Sequence, residues 1–128
     1  MNNNNDLKKA VDAMSERTVT ELFSCAFSQP LKLLGQNDAS LSSYAVFWCV
    51  AENQGITQVE VSRRTGLSAK TVSRVISLLG ENDDGRGWIR QDTDPADRRV
   101  RRLTLSRRGR NVHRKLLEDV RNLGKALG

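Results

Sequence analysis

This sequence predicts a mostly α-helical chain with one small antiparallel β-hairpin, and three observations carry the prediction. Residues 57–79 hold two short helical patterns separated by Gly66. Residues 88–105 hold two strand-type runs around a turn rich in Asp. Residues 106–127 hold one long amphipathic pattern. Two helices about a tight turn, then a basic hairpin, is the order of a winged helix-turn-helix flanked by N- and C-terminal helices.

A chain of 128 residues is enough for one domain with a buried core. Its net charge is +6, unevenly spread. From Arg86 to Lys115 eleven Lys/Arg face three Asp, a local net of +8, so the remainder, ten against twelve, carries −2. A basic block inside a mildly acidic protein is the electrostatic footprint of a polyanion partner. Arginine outnumbers lysine fifteen to six, which favours forked contacts to phosphates and guanine edges over point charges.

The elements follow in order. Residues 1–6, mostly asparagine, are low-complexity and expected to be disordered, with one domain over 7–128. Leu7 to Leu34 reads as one or two helical segments carrying Leu22, Phe23, Ala26 and Phe27. Pro30 should kink or divide it, because proline lacks the amide an interior turn requires. Gly35–Ser40 is a turn-rich break. Leu41–Ala51 is apolar almost all round, which places it at the centre of the fold. Asn53-Gln-Gly55 ends it.

Thr57 and Glu60 have the spacing of a capping box, the hydroxyl taking the Glu60 amide while the carboxylate reaches back. Gly66 supplies the left-handed turn that closes this short helix. Ser68 caps the next one, whose Val72, Val75, Ile76 and Leu79 recur at i, i+3, i+4 and i+7 and face the core. Its other face shows Lys70, Thr71, Ser73, Arg74 and Ser77, small polar and basic groups suited to base edges. Trp88–Asp92 and Val100–Leu105 alternate as strands, with Leu103 and Leu105 on one side and Arg102 and Thr104 on the other. The intervening loop, Asp92-Thr-Asp-Pro-Ala-Asp-Arg-Arg99, has turn composition. Ser106 should cap a final helix reaching about Leu127, with Val112, Leu116, Val120 and Leu123 along one side.

These residues resemble the MarR-type winged-helix transcriptional regulators. The likeness runs from Ile56 to Ser68 and through Lys70-Thr-Val-Ser-Arg74. It resumes at Gly87-Trp-Ile89, and continues through Asp94-Pro-Ala-Asp-Arg-Arg99 to Leu103-Thr-Leu-Ser-Arg-Arg-Gly109. It covers under half of the chain, and its most specific part is the Asp-Pro-x-Asp-Arg-Arg segment followed by Leu-Thr and a glycine. The resemblance implies a wing-tip pair, Asp97 and Arg99, in which Arg99 enters a minor groove while Asp97 holds its guanidinium. Narrow A·T-rich grooves concentrate negative potential, which suits that role.

It also implies a homodimer, with 7–40 as dimerisation helices, 41–106 as the winged-helix core and 107–128 as the C-terminal helix. Two departures stand out. The segment Gly80–Arg86 lengthens the passage from recognition helix to wing and predicts an added helical turn or a looser loop. With nineteen residues after Gly109, the dimer interface should rely more on 7–34.

Other chemistry finds little support. His113 stands alone, without the ligand spacing of a transition-metal site. Asp92, Asp94 and Asp97 suggest a calcium loop, but Leu103 falls where the bidentate glutamate belongs. Cys25 and Cys49 lie in apolar helical surroundings, where a thiol usually acts as a small hydrophobe. No nucleophile–base pairing, phosphate-cradling glycine motif, cofactor signature or apolar membrane span appears. A small-molecule effector is a family expectation that the six aromatic residues do little to support.

The sequence therefore predicts a cytoplasmic, non-enzymatic, dimeric repressor that binds double-stranded DNA with sequence preference. Ser68, Lys70, Thr71, Ser73 and Arg74 serve the major groove. Asp97, Arg98 and Arg99 form the wing, and Arg90, Arg101 and Arg102 contact the backbone. Two other readings fit the same pattern. One is a plasmid or phage accessory for replication, partition or packaging with weaker sequence preference. The other is a winged helix used for protein contacts.

Overall fold

The computed structural model describes residues 3–34 and 40–127, with side chains for residues 5–28 and 40–122. The elements are α1 (Asn3–Asp12), α2 (Glu16–Leu34), α3 (Leu41–Glu52), β1 (Ile56–Thr57), α4 (Gln58–Thr65), α5 (Ala69–Leu79), β2 (Ile89–Thr93), β3 (Arg101–Leu105) and α6 (Arg107–Leu127). The fold class is the expected one, mostly helical with a winged helix-turn-helix between flanking helices.

Two N-terminal expectations are corrected. Residues 3–6, read as disordered, are helical and begin α1. The break in the 7–34 stretch falls at residues 13–15, and α2 is continuous through Pro30. The reason is capping: the Ser15 hydroxyl accepts the Thr18 amide at 3.1 Å, giving a helix start a better partner than a proline interior gives a helix end. The expected turn at Gly35–Ser40 lies, but for Ser40, outside the described residues. Ser40 itself caps α3 by accepting the Ser43 amide.

α3 is the central helix, with Val46 and Val50 fully buried and Phe47 and Cys49 nearly so. α5 buries the predicted stripe of Val72, Val75, Ile76 and Leu79 beside it. Each such aliphatic side chain contributes about 1.5–3 kcal/mol on full burial. α2 packs against α6, and the Tyr44 hydroxyl donates to the Ala26 carbonyl at 2.6 Å, tying α3 to α2.

The hairpin proves to be a three-stranded sheet in the order β1-β3-β2. β3 pairs with both neighbours, Ile56 opposite Leu103 on one side and Ile89 opposite Leu105 on the other. Local patterning did not reveal β1, because a two-residue strand has no period to read and its partners lie 45 and 47 positions away. Thr57 is thus a strand residue and also the N-cap of α4, its hydroxyl accepting the Glu60 amide at 3.3 Å. The return bond from the Glu60 carboxylate does not form among the described residues. Gly66 closes α4 at φ 78.

Ser106 joins the sheet to α6. Its amide donates to the Trp88 carbonyl at 2.9 Å, its hydroxyl donates to the Gly87 carbonyl and accepts the Gly109 amide at 3.0 Å. The helix start is thereby drawn so close that a Cβ on Gly109 would lie 2.0 Å from the Trp88 oxygen. Gly109→Ala should therefore destabilise the protein by about 1–3 kcal/mol or more through overpacking. That loss outweighs the roughly 1 kcal/mol alanine gains inside a helix. Urea unfolding checks it, and an unchanged or higher midpoint contradicts the packing described.

Candidate nucleic-acid interface

α5 is capped by Ser68, whose hydroxyl accepts the Thr71 amide at 3.1 Å and donates to the Thr71 hydroxyl at 3.0 Å. Both hydroxyls are thus engaged in capping, and Thr71 is half-buried. Lys70, Ser73 and Arg74 are exposed and have no side-chain partner among the described residues. Lys70 and Arg74 stand one turn apart on the same helix face. Of the residues assigned to the major groove, these three are the ones free to meet a ligand.

The wing loop joins β2 to β3 and is held by its own aspartates. The Asp94 amide donates to the Val100 carbonyl at 2.9 Å and the Val100 amide to the Asp97 carbonyl at 3.0 Å. The Asp94 carboxylate accepts the Ala96 amide at 2.7 Å, and that of Asp97 accepts the Arg99 amide at 3.0 Å. Asp97 also receives the Arg99 guanidinium as a fork, Nε at 3.2 Å and Nη2 at 3.3 Å. The Arg99 side chain nevertheless stays 91% exposed. An exposed ion pair of this kind adds little stability, so its effect is on direction: it limits where the guanidinium can point.

The remaining arginines divide. Arg98 and Arg101 are exposed without a side-chain partner among the described residues. Arg90 pairs with Asp92 at 3.2 Å. Arg102 turns inward, its Nε donating to Asp94 at 2.7 Å and its Nη1 to the Gly55 carbonyl at 3.0 Å.

A groove of about 470 Å³ separates the wing from the start of α4, lined by Thr57, Gln58, Val59, Arg99, Val100 and Arg101. Sequence reasoning missed Gln58 and Val59, although Val59 is 79% exposed. The pairing of β1 with β3 brings them beside the wing. The one available signal was a β-branched pair, Ile56-Thr57, just before a cap.

The lengthened passage between α5 and β2 forms neither an added helical turn nor a loose loop. The amides of Arg86, Gly87 and Trp88 donate to the carbonyls of Leu78, Gly80 and Leu79 at 2.7–2.9 Å. The Asn82 side chain donates to the Ser77 carbonyl at 2.7 Å and accepts the Asp84 amide at 3.1 Å. The segment folds back on the end of α5, so β2 starts beside Gly80.

Elsewhere, His113 packs edge-on against Trp48 with ring centroids 5.3 Å apart. Cys49 is buried, which pushes its thiol up and keeps it protonated. The described residues contain no cluster of three or more metal-ligating side chains and no helix long and apolar enough to cross a membrane.

Both wing aspartates are held below their ordinary value, Asp94 chiefly by the Ala96 amide and then Arg102, Asp97 chiefly by the Arg99 side chain and amide. A carboxylate lowered in the folded state stabilises the loop above its unfolded pKa, and that contribution disappears as pH falls through the lower folded value. The amide resonances of Ala96 and Arg99 should therefore hold steady from neutral pH down to about 5. They should move only below the usual carboxylate value of 3.8. Loss of these bonds between about pH 5 and 7 contradicts the assignment.

Residues 43–83 match the model of the winged helix-turn-helix DNA-binding family. A comparison with curated proteins finds no match. Among solved structures, the chain is similar to the transcriptional regulator Tm0710 from Thermotoga maritima, at 22% identity and a TM-score of 0.69 over 88% of this chain and 76% of that one. It is similar to FabT of Streptococcus pneumoniae, solved in complex with DNA, at 21% identity and a TM-score of 0.63 over 87% and 77%. The regulator PcaV of Streptomyces coelicolor, solved with its natural ligand, gives 25% identity and a TM-score of 0.58 over 90% and 79%. The chain thus has a winged helix-turn-helix fold that, over most of its length, is like that of the MarR-type transcriptional regulators.

Proposed function

We propose that this protein is a dimeric, sequence-preferring repressor that acts in the cytoplasm by occupying duplex DNA and performs no chemistry of its own. The observation that carries this reading is the wing: an arginine exposed to solvent yet aimed by a fork to Asp97. A minor groove selects such a group, since desolvating a pre-oriented guanidinium costs less ordering entropy than recruiting a free one. In this reading Arg99 enters the minor groove with Arg98 beside it, and Lys70, Ser73 and Arg74 read the adjacent major groove. Arg90 and Arg101 contact phosphates. FabT, of similar fold, was solved with DNA bound, which supports a duplex as the ligand.

The dimer is proposed on α1 and α2. Leu7, Val11 and Met14 are exposed on or just after α1, and Phe23 and Phe27 are half exposed on α2 with rings stacked at 6.2 Å. Apolar side chains gathered on an outer helix pair mark an interaction surface. A second copy would also double the phosphate contacts through paired half-sites.

Fluorescence-anisotropy titration of the duplex upstream of the protein's own gene, beside a scrambled duplex and across a salt series, tests the function. A preference of ~10³ or more with a salt slope of several units supports the repressor. Equal binding to both favours the accessory reading, and no binding favours a protein-contact module. Arg99→Ala should weaken all duplexes alike, whereas Arg74→Ala should cost about 1–3 kcal/mol of discrimination between them. Equal effects on both quantities contradict that division. Light scattering at micromolar concentration should give a dimer, and a monomer with and without DNA contradicts the proposed interface.

A further inference from the structure

We propose that Arg102 is a positioning residue that fixes the angle of the wing to the helix-turn-helix, and not a phosphate contact; the inference rests on the DNA-binding reading above. Arg102 lies on β3, opposite Thr57 of β1 and Asp92 of β2, so its side chain leaves the one strand that both halves of the site share.

The guanidinium spans the two halves. On one side Nε donates to Asp94 at 2.7 Å, at the first residue of the wing loop. Asp94 is itself committed, holding the Ala96 amide with its other oxygen and the Val100 carbonyl with its amide. On the other side Nη1 donates at 3.0 Å to the carbonyl of Gly55. Gly55 is in the left-handed region at φ 94, and its amide donates to the Leu103 carbonyl at 2.8 Å. Gln54 adds a parallel tie, its side-chain oxygen accepting the Leu105 amide at 2.8 Å. From Gly55 the chain passes through β1 directly into α4. One side chain therefore joins the base of the wing to the root of the helix-turn-helix.

The environment separates Arg102 from its neighbours. Its Asp94 partner is 13% exposed, against 40% for the Asp97 that holds Arg99. Arg102 is half-exposed and Arg99 almost wholly so. A pair of acceptors in different directions suits the planar fork of arginine; a lysine ammonium keeps the charge but loses the pre-organised span. Misplacing the wing would deny Arg99 its groove while leaving Lys70, Ser73 and Arg74 exposed on α5.

The test compares Arg102→Lys, Arg102→Ala and Asp94→Asn with Arg101→Ala. For a positioning residue, Arg102→Lys, which keeps the charge, loses affinity on the order of tenfold just as Arg102→Ala does, whereas for a phosphate contact Arg102→Lys stays close to wild type. Arg101→Ala lowers the slope by about one. Adding Asp94→Asn to Arg102→Ala costs little more, because both break the same link. In the free protein, amide exchange at Asp94 and Val100 should quicken in Arg102→Lys. That arm needs no DNA, so it decides the clamp even if the DNA-binding reading fails. Wild-type affinity in Arg102→Lys, or unchanged exchange at Asp94 and Val100, would each overturn the proposal.

Discussion

Strand β3 makes the double pairing on which the rest of the structure depends. It lies between β1 and β2, and its Leu103 and Leu105 are buried in the same core as α3 and α5. Through β2 it carries the wing, and through β1 it carries the start of α4. Sheet register admits no small error, since a slip of one residue would turn Leu103 and Leu105 out to solvent and Arg102 and Thr104 into the core. The hydrophobic core thus sets the register, and the register sets where the charged loop and α4 begin.

Much of this was legible in the sequence because it was written in local patterns. Val72, Val75, Ile76 and Leu79 declared the buried face of α5. Ser68 and Ser106 declared two helix starts, and Gly66 the turn between α4 and α5. The fork from Arg99 to Asp97 was implied by the resemblance of Asp94–Arg99 to the MarR-type wing, not by composition or spacing. What could not be read was non-local. The pairing of Ile56 with Leu103 has no local trace, and without it nothing places Gln58 and Val59 beside the wing. Pro30 misled because a helix interior can absorb one missing hydrogen bond, whereas Ser15 supplied a cap that makes residues 13–15 the better break. The passage from Gly80 to Arg86 looked like slack, yet Asn82 and the successive amides of 86–88 fold it onto the end of α5.

Charge alone also proved a poor guide to role. Eleven cationic residues between Arg86 and Lys115 look interchangeable in sequence, but their partners differ. Arg98 and Arg101 extend freely, Arg99 is aimed by Asp97, Arg90 is paired along its strand, and Arg102 is drawn inward. The acidic residues of the wing are what sort them. Asp94 and Asp97 each bind a backbone amide and a guanidinium, so each shapes the loop and directs an arginine at once.

The central claim is that a core-anchored sheet presents an aimed wing and a recognition helix to one stretch of duplex. Hydroxyl-radical footprinting of wild type and Arg99→Ala on the tightest-binding duplex tests it most directly. The account predicts, in each half-site, protection of the backbone around one major groove and of a minor groove about half a helical turn, or ~5 base pairs, away. Arg99→Ala should erase only the minor-groove protection. A footprint that Arg99→Ala leaves unchanged, or one confined to a single groove in wild type, would contradict it.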